Sequence, residues 1–171
     1  VEMLPTLREW RELARRNGQQ CCIAFMDLDH LKEINDTHGH VVGDQVLAGV
    51  VRHVMEHLRP YDKVFRYGGD EFLISLPGAD LEIGRKVIGH IREQIAGATA
   101  VASPAGHPIA TTASFGLALL EPDISVEESI DRADKALLVA KAAGRNRVCS
   151  WDPAVTTGTV LQRMMEDGAA G

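Results

Sequence analysis

The chain has 171 residues, enough for one domain with a single sizeable core. Hydrophobic residues make up 45% and charged residues 25%, and the formal charge of −6 argues against a broad surface for nucleic acid or anionic membrane. No apolar run approaches the roughly 18 residues of a spanning helix, and no signal peptide is visible. The three cysteines, Cys21, Cys22 and Cys149, lack metal-type spacing. Adjacent Cys21 and Cys22 do not suit a mutual disulfide, so a reducing, cytoplasmic setting is the simplest expectation. The chain opens on Val1 rather than Met, as a piece of a longer protein would, and the membrane anchoring of that parent is left open.

In chain order, Leu4 to Arg16 reads as an amphipathic helix stopped by Asn17-Gly18. Cys21 to Met26 is an apolar run suited to a strand buried on both faces, ending in Asp27-Leu28-Asp29. A short helix follows through Leu31, Ile34 and Asn35, and Thr37 to His40 is predicted as a loop. Gly43 to Leu58 is the clearest helix, with Val46, Leu47, Val50, Val51, Val54 and Leu58 inward, and Arg59-Pro60-Tyr61-Asp62 breaks it. Strands are predicted at Val64–Tyr67 and Phe72–Leu76, with Gly68-Gly69 supplying the positive φ of a tight hairpin. Leu81 to Ile95 is helical, then a loop holds Pro104, Gly106 and Pro108. Thr111 to Leu119 is a strand, and Val126 to Ala143 a helix with Ile130, Ala133, Leu137 and Ala140 inward and Gly144 as its cap. Arg147 to Ser150 is a last strand. Residues 1–150 make one domain, and Trp151 to Gly171 is a loosely attached tail with a weak helix at Val160–Glu166. The alternation predicts an α/β sandwich: a central mixed sheet of about five strands flanked by helices.

Chemistry concentrates in two stretches. In Arg66-Tyr67-Gly68-Gly69-Asp70-Glu71-Phe72, two acids follow a glycine turn that lets a ligand approach the backbone. Gly-Gly-Asp is also common turn chemistry, and a solvated hairpin tip has the same sequence. Asp27 ends a buried strand, where a carboxylate is costly unless solvated, hydrogen-bonded or metal-bound. If that strand lies beside the hairpin, Asp27 and Asp70 converge, and paired carboxylates of this kind suit Mg²⁺. The bland alternative for Asp27 is a helix N-cap, a role that Asp29 fits at least as well.

These stretches resemble the GGDEF diguanylate cyclases. Gly68 to Phe72 is the GGDEF signature. Asp27 to Asp44 is similar to the family's D-(hydrophobic)-D-x-(F/L)-K-x-(I/V)-N-D-x-x-G-H-x-x-G-D block, and Ala140 to Asn146 to its late A-K-x-x-G-R-N motif. The resemblance covers roughly residues 4 to 150 and implies a palm-like α+β domain, related in architecture to nucleotide cyclases and polymerase palms. It implies that Asp27, the Leu28 carbonyl and Asp70 hold Mg²⁺, with Mn²⁺ as a substitute, and that Glu71 is the candidate base for a 3′-hydroxyl. Asn35 and Asp44 would meet the guanine edge, with His40 in the same pocket. Backbone N–H groups of Leu28 to Leu31, together with Lys32 and Gly68, would lie at the nucleotide, and Lys141 and Arg145 would grip the terminal phosphates. Lys141 and Arg145 share a helix face if that helix persists to Gly144. Carboxylate and amide oxygens fit guanine's donors at N1 and the 2-amino group, whereas adenine would leave them unpaired.

Arg59 and Asp62 fall where the family's Arg-x-x-Asp pair binds the cyclic product; an ordinary helix-end ion pair is the bland alternative. Where a second arginine often assists, this chain has His90. His53 and His57 read as surface residues, and the seven histidines form no metal set. Tyr61, Tyr67 and Trp151 make no stacking platform for a nucleic acid polymer. Val1 to Arg8 departs from the family's usual D-x-L-T-G-L-x-N-R opening. The expected activity is condensation of two GTP into cyclic di-GMP by a homodimer, under attached sensor or effector domains. The alternative is a silent domain that binds GTP or cyclic di-GMP and regulates an attached phosphodiesterase.

Overall fold

The computed structural model describes residues 2–97, 101–102 and 108–154. Helix α1 (Met3–Asn17) leads to strand β1 (Cys21–Leu28), whose eight residues are all buried, as an apolar run of that length requires. Helices α2 (Leu31–His38) and α3 (His40–Glu56) follow, then strands β2 (Lys63–Arg66) and β3 (Glu71–Pro77) and helix α4 (Leu81–Gly97). A two-stranded ribbon, β4 (Val101–Ala102) and β5 (Pro108–Ile109), stands where a plain loop was predicted. Strand β6 (Ala113–Leu119), helix α5 (Val126–Ala142) and strand β7 (Val148–Ser150) complete the main sheet. Its order is β2-β3-β1-β6-β7, with only β6 and β7 parallel. This is the mixed five-stranded sheet flanked by helices that the alternation implied.

Side-chain alternation along β1 sorts the core into two layers. Cys22, Ala24, Met26 and Leu28 pack with Val46, Val50 and Val54 of α3 and Ile88, Ile91 and Ile95 of α4. Cys21, Ile23 and Phe25 pack with Leu7 of α1 and Ile130, Ala133 and Leu137 of α5. Ser125 Oγ caps α5 by accepting from the Glu128 N–H at 3.1 Å, and Glu127 and Glu128 complement the helix dipole. Helix α5 lies directly on β6: a Cβ on Gly116 would sit 2.1 Å from the Ala133 carbonyl oxygen and 2.2 Å from the Leu137 nitrogen.

Three local expectations are corrected. Thr37 to His40 is not a loop; α2 and α3 are joined by Gly39 alone, at φ 90°, a left-handed value that glycine adopts without steric cost. Gly68 and Gly69 are not among the positive-φ glycines, so the turn is a four-residue loop, with the Tyr67 and Gly68 N–H groups both donating to the Glu71 carbonyl at 2.9 and 3.3 Å. Trp151 is not loose: its N–H donates to the Leu117 carbonyl at 2.7 Å, and Arg132 stacks 4.1 Å over its ring. The helix expected at Val160–Glu166 lies outside the described residues. No helix among the described residues is long and apolar enough to cross a membrane.

Candidate active site at one end of the sheet

The register pairs Asp27 with Glu71 on β3 and with Ser114 on β6. Asp27 therefore lies beside the hairpin acids. It is 8% exposed. Its Oδ2 is ion-paired with Lys141 Nζ, while its Oδ1 is buried with no hydrogen-bond partner. Burial pushes the Asp27 carboxyl up from 3.8 to about 6; Lys141 opposes this, and the Asp70 and Glu71 charges add to it.

Like charges opposite one another in a sheet are destabilising. An unpartnered buried oxygen beside two further acids fits a hard divalent cation. Among the described residues no group of three or more His, Cys, Asp and Glu side chains could hold a metal. The charges of Asp27 and Asp70 bear on one another, and two hard-oxygen carboxylates suit an ion that keeps phosphate or water ligands.

The same alternation directs Glu71 to the α5 side with Asp27, and sends Phe72 to the α3 side. There, a groove of about 790 Å³ is lined by Asp44, Leu47, Val51, Met55, Arg66 and Phe72. Asp44 is exposed, on the second turn of α3. Asn35 is half-buried on α2, with its Oδ1 enclosed and unpartnered against Gly43. His40 opens α3, and it and Lys32 are exposed. The loop between β2 and β3 is braced by Arg66, whose Nε and Nη2 donate to the Gly68 and Gly69 carbonyls at 3.3 and 2.7 Å.

Two expectations about the groups assigned to phosphate change. Helix α5 ends at Ala142, and Arg145 lies beyond it at φ 62°, so Lys141 and Arg145 do not share a helix face. Of the N–H groups from Leu28 to Leu31, that of Asp29 already donates to the Thr112 carbonyl at 2.9 Å, inside the sheet.

Asp29 itself is not a helix cap. It is 3% exposed and accepts from Ser114 Oγ at 2.7 Å, Thr112 Oγ1 at 2.6 Å and the Asn146 N–H at 3.0 Å. It thereby clasps the left-handed pair Arg145-Asn146 (φ 62° and 46°) to the start of β6. Sequence reasoning missed this role. The second aspartate of Asp27-Leu28-Asp29 was the only signal.

Arg59 and Asp62 form a bonded pair: the Arg59 N–H and Nε donate to Asp62 Oδ2 at 2.8 and 3.2 Å, and Nη2 to Oδ1 at 3.0 Å. Nη2 also donates to the Pro77 carbonyl at 2.9 Å, yet the Arg59 side chain stays 53% exposed. His53 and His57 are half-buried, not surface residues, and His57 lies between the His53 and His90 rings at centroid distances of 4.6 and 5.4 Å.

The diguanylate cyclase, GGDEF domain family matches residues 3–147. The chain belongs to this family. It is 39% identical over 143 residues to the diguanylate cyclase DgcP of Pseudomonas aeruginosa, covering 81% of this chain and 21% of that one. It is also 39% identical over 150 residues to DosC of Escherichia coli K12, covering 86% and 32%. The chain thus spans between a fifth and a third of the length of these relatives. Among solved structures, the GGDEF domain of DgcB from Caulobacter crescentus in complex with c-di-GMP superposes with a TM-score of 0.80, at 32% identity over 85% of this chain and 86% of that one. Diguanylate cyclase SiaD of P. aeruginosa, in complex with its activator SiaC, gives 0.81 at 35% identity over 86% and 56%. The GGDEF fold assignment and the five-stranded sheet therefore agree.

Proposed function

We propose that this GGDEF domain is a diguanylate cyclase: two copies, each holding one GTP and Mg²⁺ or Mn²⁺, form cyclic di-GMP and two pyrophosphates. The observation that carries this reading is the gathering of Asp27, Asp70 and Glu71 at one strand end, with a buried carboxylate oxygen left without a partner. Diguanylate cyclase relatives over most of the chain support it.

The base would lie in the α3 groove against Asp44 and Asn35, and the phosphates at the rim between Asp27 and Arg145. In-line transfer needs the attacking oxygen opposite the leaving pyrophosphate, so each 3′-hydroxyl is served to the partner's α-phosphorus rather than its own. Glu71 takes the 3′-hydroxyl proton as the new O–P bond forms and the bond to the β-phosphate bridge breaks. Asp27, Asp70 and the Leu28 carbonyl would hold the divalent cation, which supplies charge neutralisation on the phosphate oxygens. Lys141 then exchanges Asp27 for the terminal phosphates, beside Arg145. One domain holds half of the reaction, so the active form is a two-fold pair, assembled under attached regulatory domains. Arg59 and Asp62 bind the product as an inhibitor.

The test is incubation with GTP or ATP and Mg²⁺, with products separated by chromatography, on the free protein and on artificially dimerised protein. Cyclic di-GMP from GTP only, lost in Asp70→Ala, is the expected result. Tight GTP binding without turnover in the dimerised protein would instead mark a nucleotide receptor.

A further inference from the structure

We propose that Gly43 is a specificity-determining residue: the side chain it lacks is the seat that holds Asn35 beside Asp44. The inference rests on reading Asn35 and Asp44 as the base-recognising pair.

Gly43 is buried in the first turn of α3, an interior helix position where glycine is unfavourable relative to alanine. A Cβ there would sit 1.7 Å from Asn35 Oδ1 and 2.8 Å from its Cγ, with Nδ2 at 3.6 Å. Real Cβ contacts do not come so close, and a shift of a few tenths of an ångström would not relieve it. Asn35 therefore occupies the volume of the missing side chain, with its amide oxygen against the α3 backbone.

That oxygen is buried without a hydrogen-bond partner, a costly state in a folded protein. The adjoining residue on α3, Asp44, lines the groove. The Asn35 amide on α2, seated with its oxygen inward, and the Asp44 carboxylate on α3 make a polar pair, and such a pair matches a base with donors at N1 and the 2-amino group, as guanine has. Adenine offers no such pair. Any side chain at position 43 would expel the Asn35 amide and leave Asp44 alone.

The experiment measures binding of GDP and ADP in Mg²⁺ by isothermal titration, with melting temperatures, for wild type, Gly43→Ala, Asn35→Ala and the double variant. GDP keeps the base and has no pyrophosphate to release. Gly89→Ala is the control, since a Cβ there meets nothing within 4 Å. Gly43→Ala is expected to weaken GDP binding about tenfold, equivalent to about 1.4 kcal/mol, and to leave ADP unchanged. Asn35→Ala should lose the same, and the double variant no more than either.

Gly43→Ala binding GDP as wild type does, beside a weakened Asn35→Ala, overturns the proposal alone. So do losses that multiply in the double variant. Full-strength Asn35→Ala removes the base-recognition reading, and the proposal with it. If Gly43→Ala melts low, the double variant should melt near wild type, because the obstructing atoms are gone; a double variant that melts equally low also overturns the proposal.

Discussion

Replacing Asp27 by asparagine should make the metal-free protein more stable at neutral pH while abolishing cyclase activity. The folded protein holds the Asp27 carboxyl at about 6 against an ordinary 3.8, chiefly through burial. A raised carboxyl binds its proton more tightly in the native state than in the unfolded chain. Its contribution is therefore favourable below about pH 4, is lost as pH rises towards 6, and is flat above that. The full difference corresponds to about 3 kcal/mol of destabilisation at pH 7. Asparagine keeps the shape and carries no charge. Lys141 loses its partner, but its ammonium can turn to solvent. The assay is urea denaturation in EDTA from pH 4 to 8, comparing wild type with Asp27→Asn so that all other titrations cancel. The stability difference should grow by roughly 2.4 kcal/mol in favour of the variant between pH 4 and pH 7. Parallel curves would refute the account of a strained carboxylate. Added Mg²⁺ should then stabilise wild type and not the variant.

Asp29→Ala leaves the Ser114 and Thr112 hydroxyls and the Asn146 N–H without their shared acceptor, at a cost of about 2–4 kcal/mol; an unchanged urea midpoint would count against the clasp. Arg59→Ala removes the guanidinium donors from the buried Asp62 carboxylate, so stability should fall by about 1–3 kcal/mol. Inhibition by added cyclic di-GMP should be lost in the same variant, and unchanged inhibition would remove Arg59 from the product site. Burial pushes the Cys21 and Cys22 thiols up to about 12. At pH 8 a disulfide reagent should therefore titrate only half-buried Cys149 in native protein and all three cysteines in guanidinium; rapid native reaction of all three would contradict the buried sheet.

Most of the architecture was legible because its signals are local. Cys21 to Met26 is too apolar for any exposed element, and Ile130, Ala133, Leu137 and Ala140 repeat at helical spacing on α5. The convergence of Asp27 with the hairpin followed once β1 and β3 were neighbours. What escaped depends on partners remote in sequence: Asp29 meets Ser114 and Asn146 across 85 and 117 positions, and Lys141 meets Asp27 across 114. Periodicity carries no information about such pairs. The glycine motif misled for a different reason. Gly39 bends the chain through its φ, whereas Gly68 and Gly69 keep a loop bare of side chains, and the letter is the same in both cases.

The Lys141 ammonium on Asp27 has a consequence for how the domain is made. Proteins whose ligands gather only around an ion cannot fold until that ion arrives. Here a tethered cation already offsets part of the charge on the central acid, so the chain should fold under magnesium scarcity and wait assembled. Chelation should then empty the centre without unmaking the protein, and restoring the ion should restart it without a refolding delay.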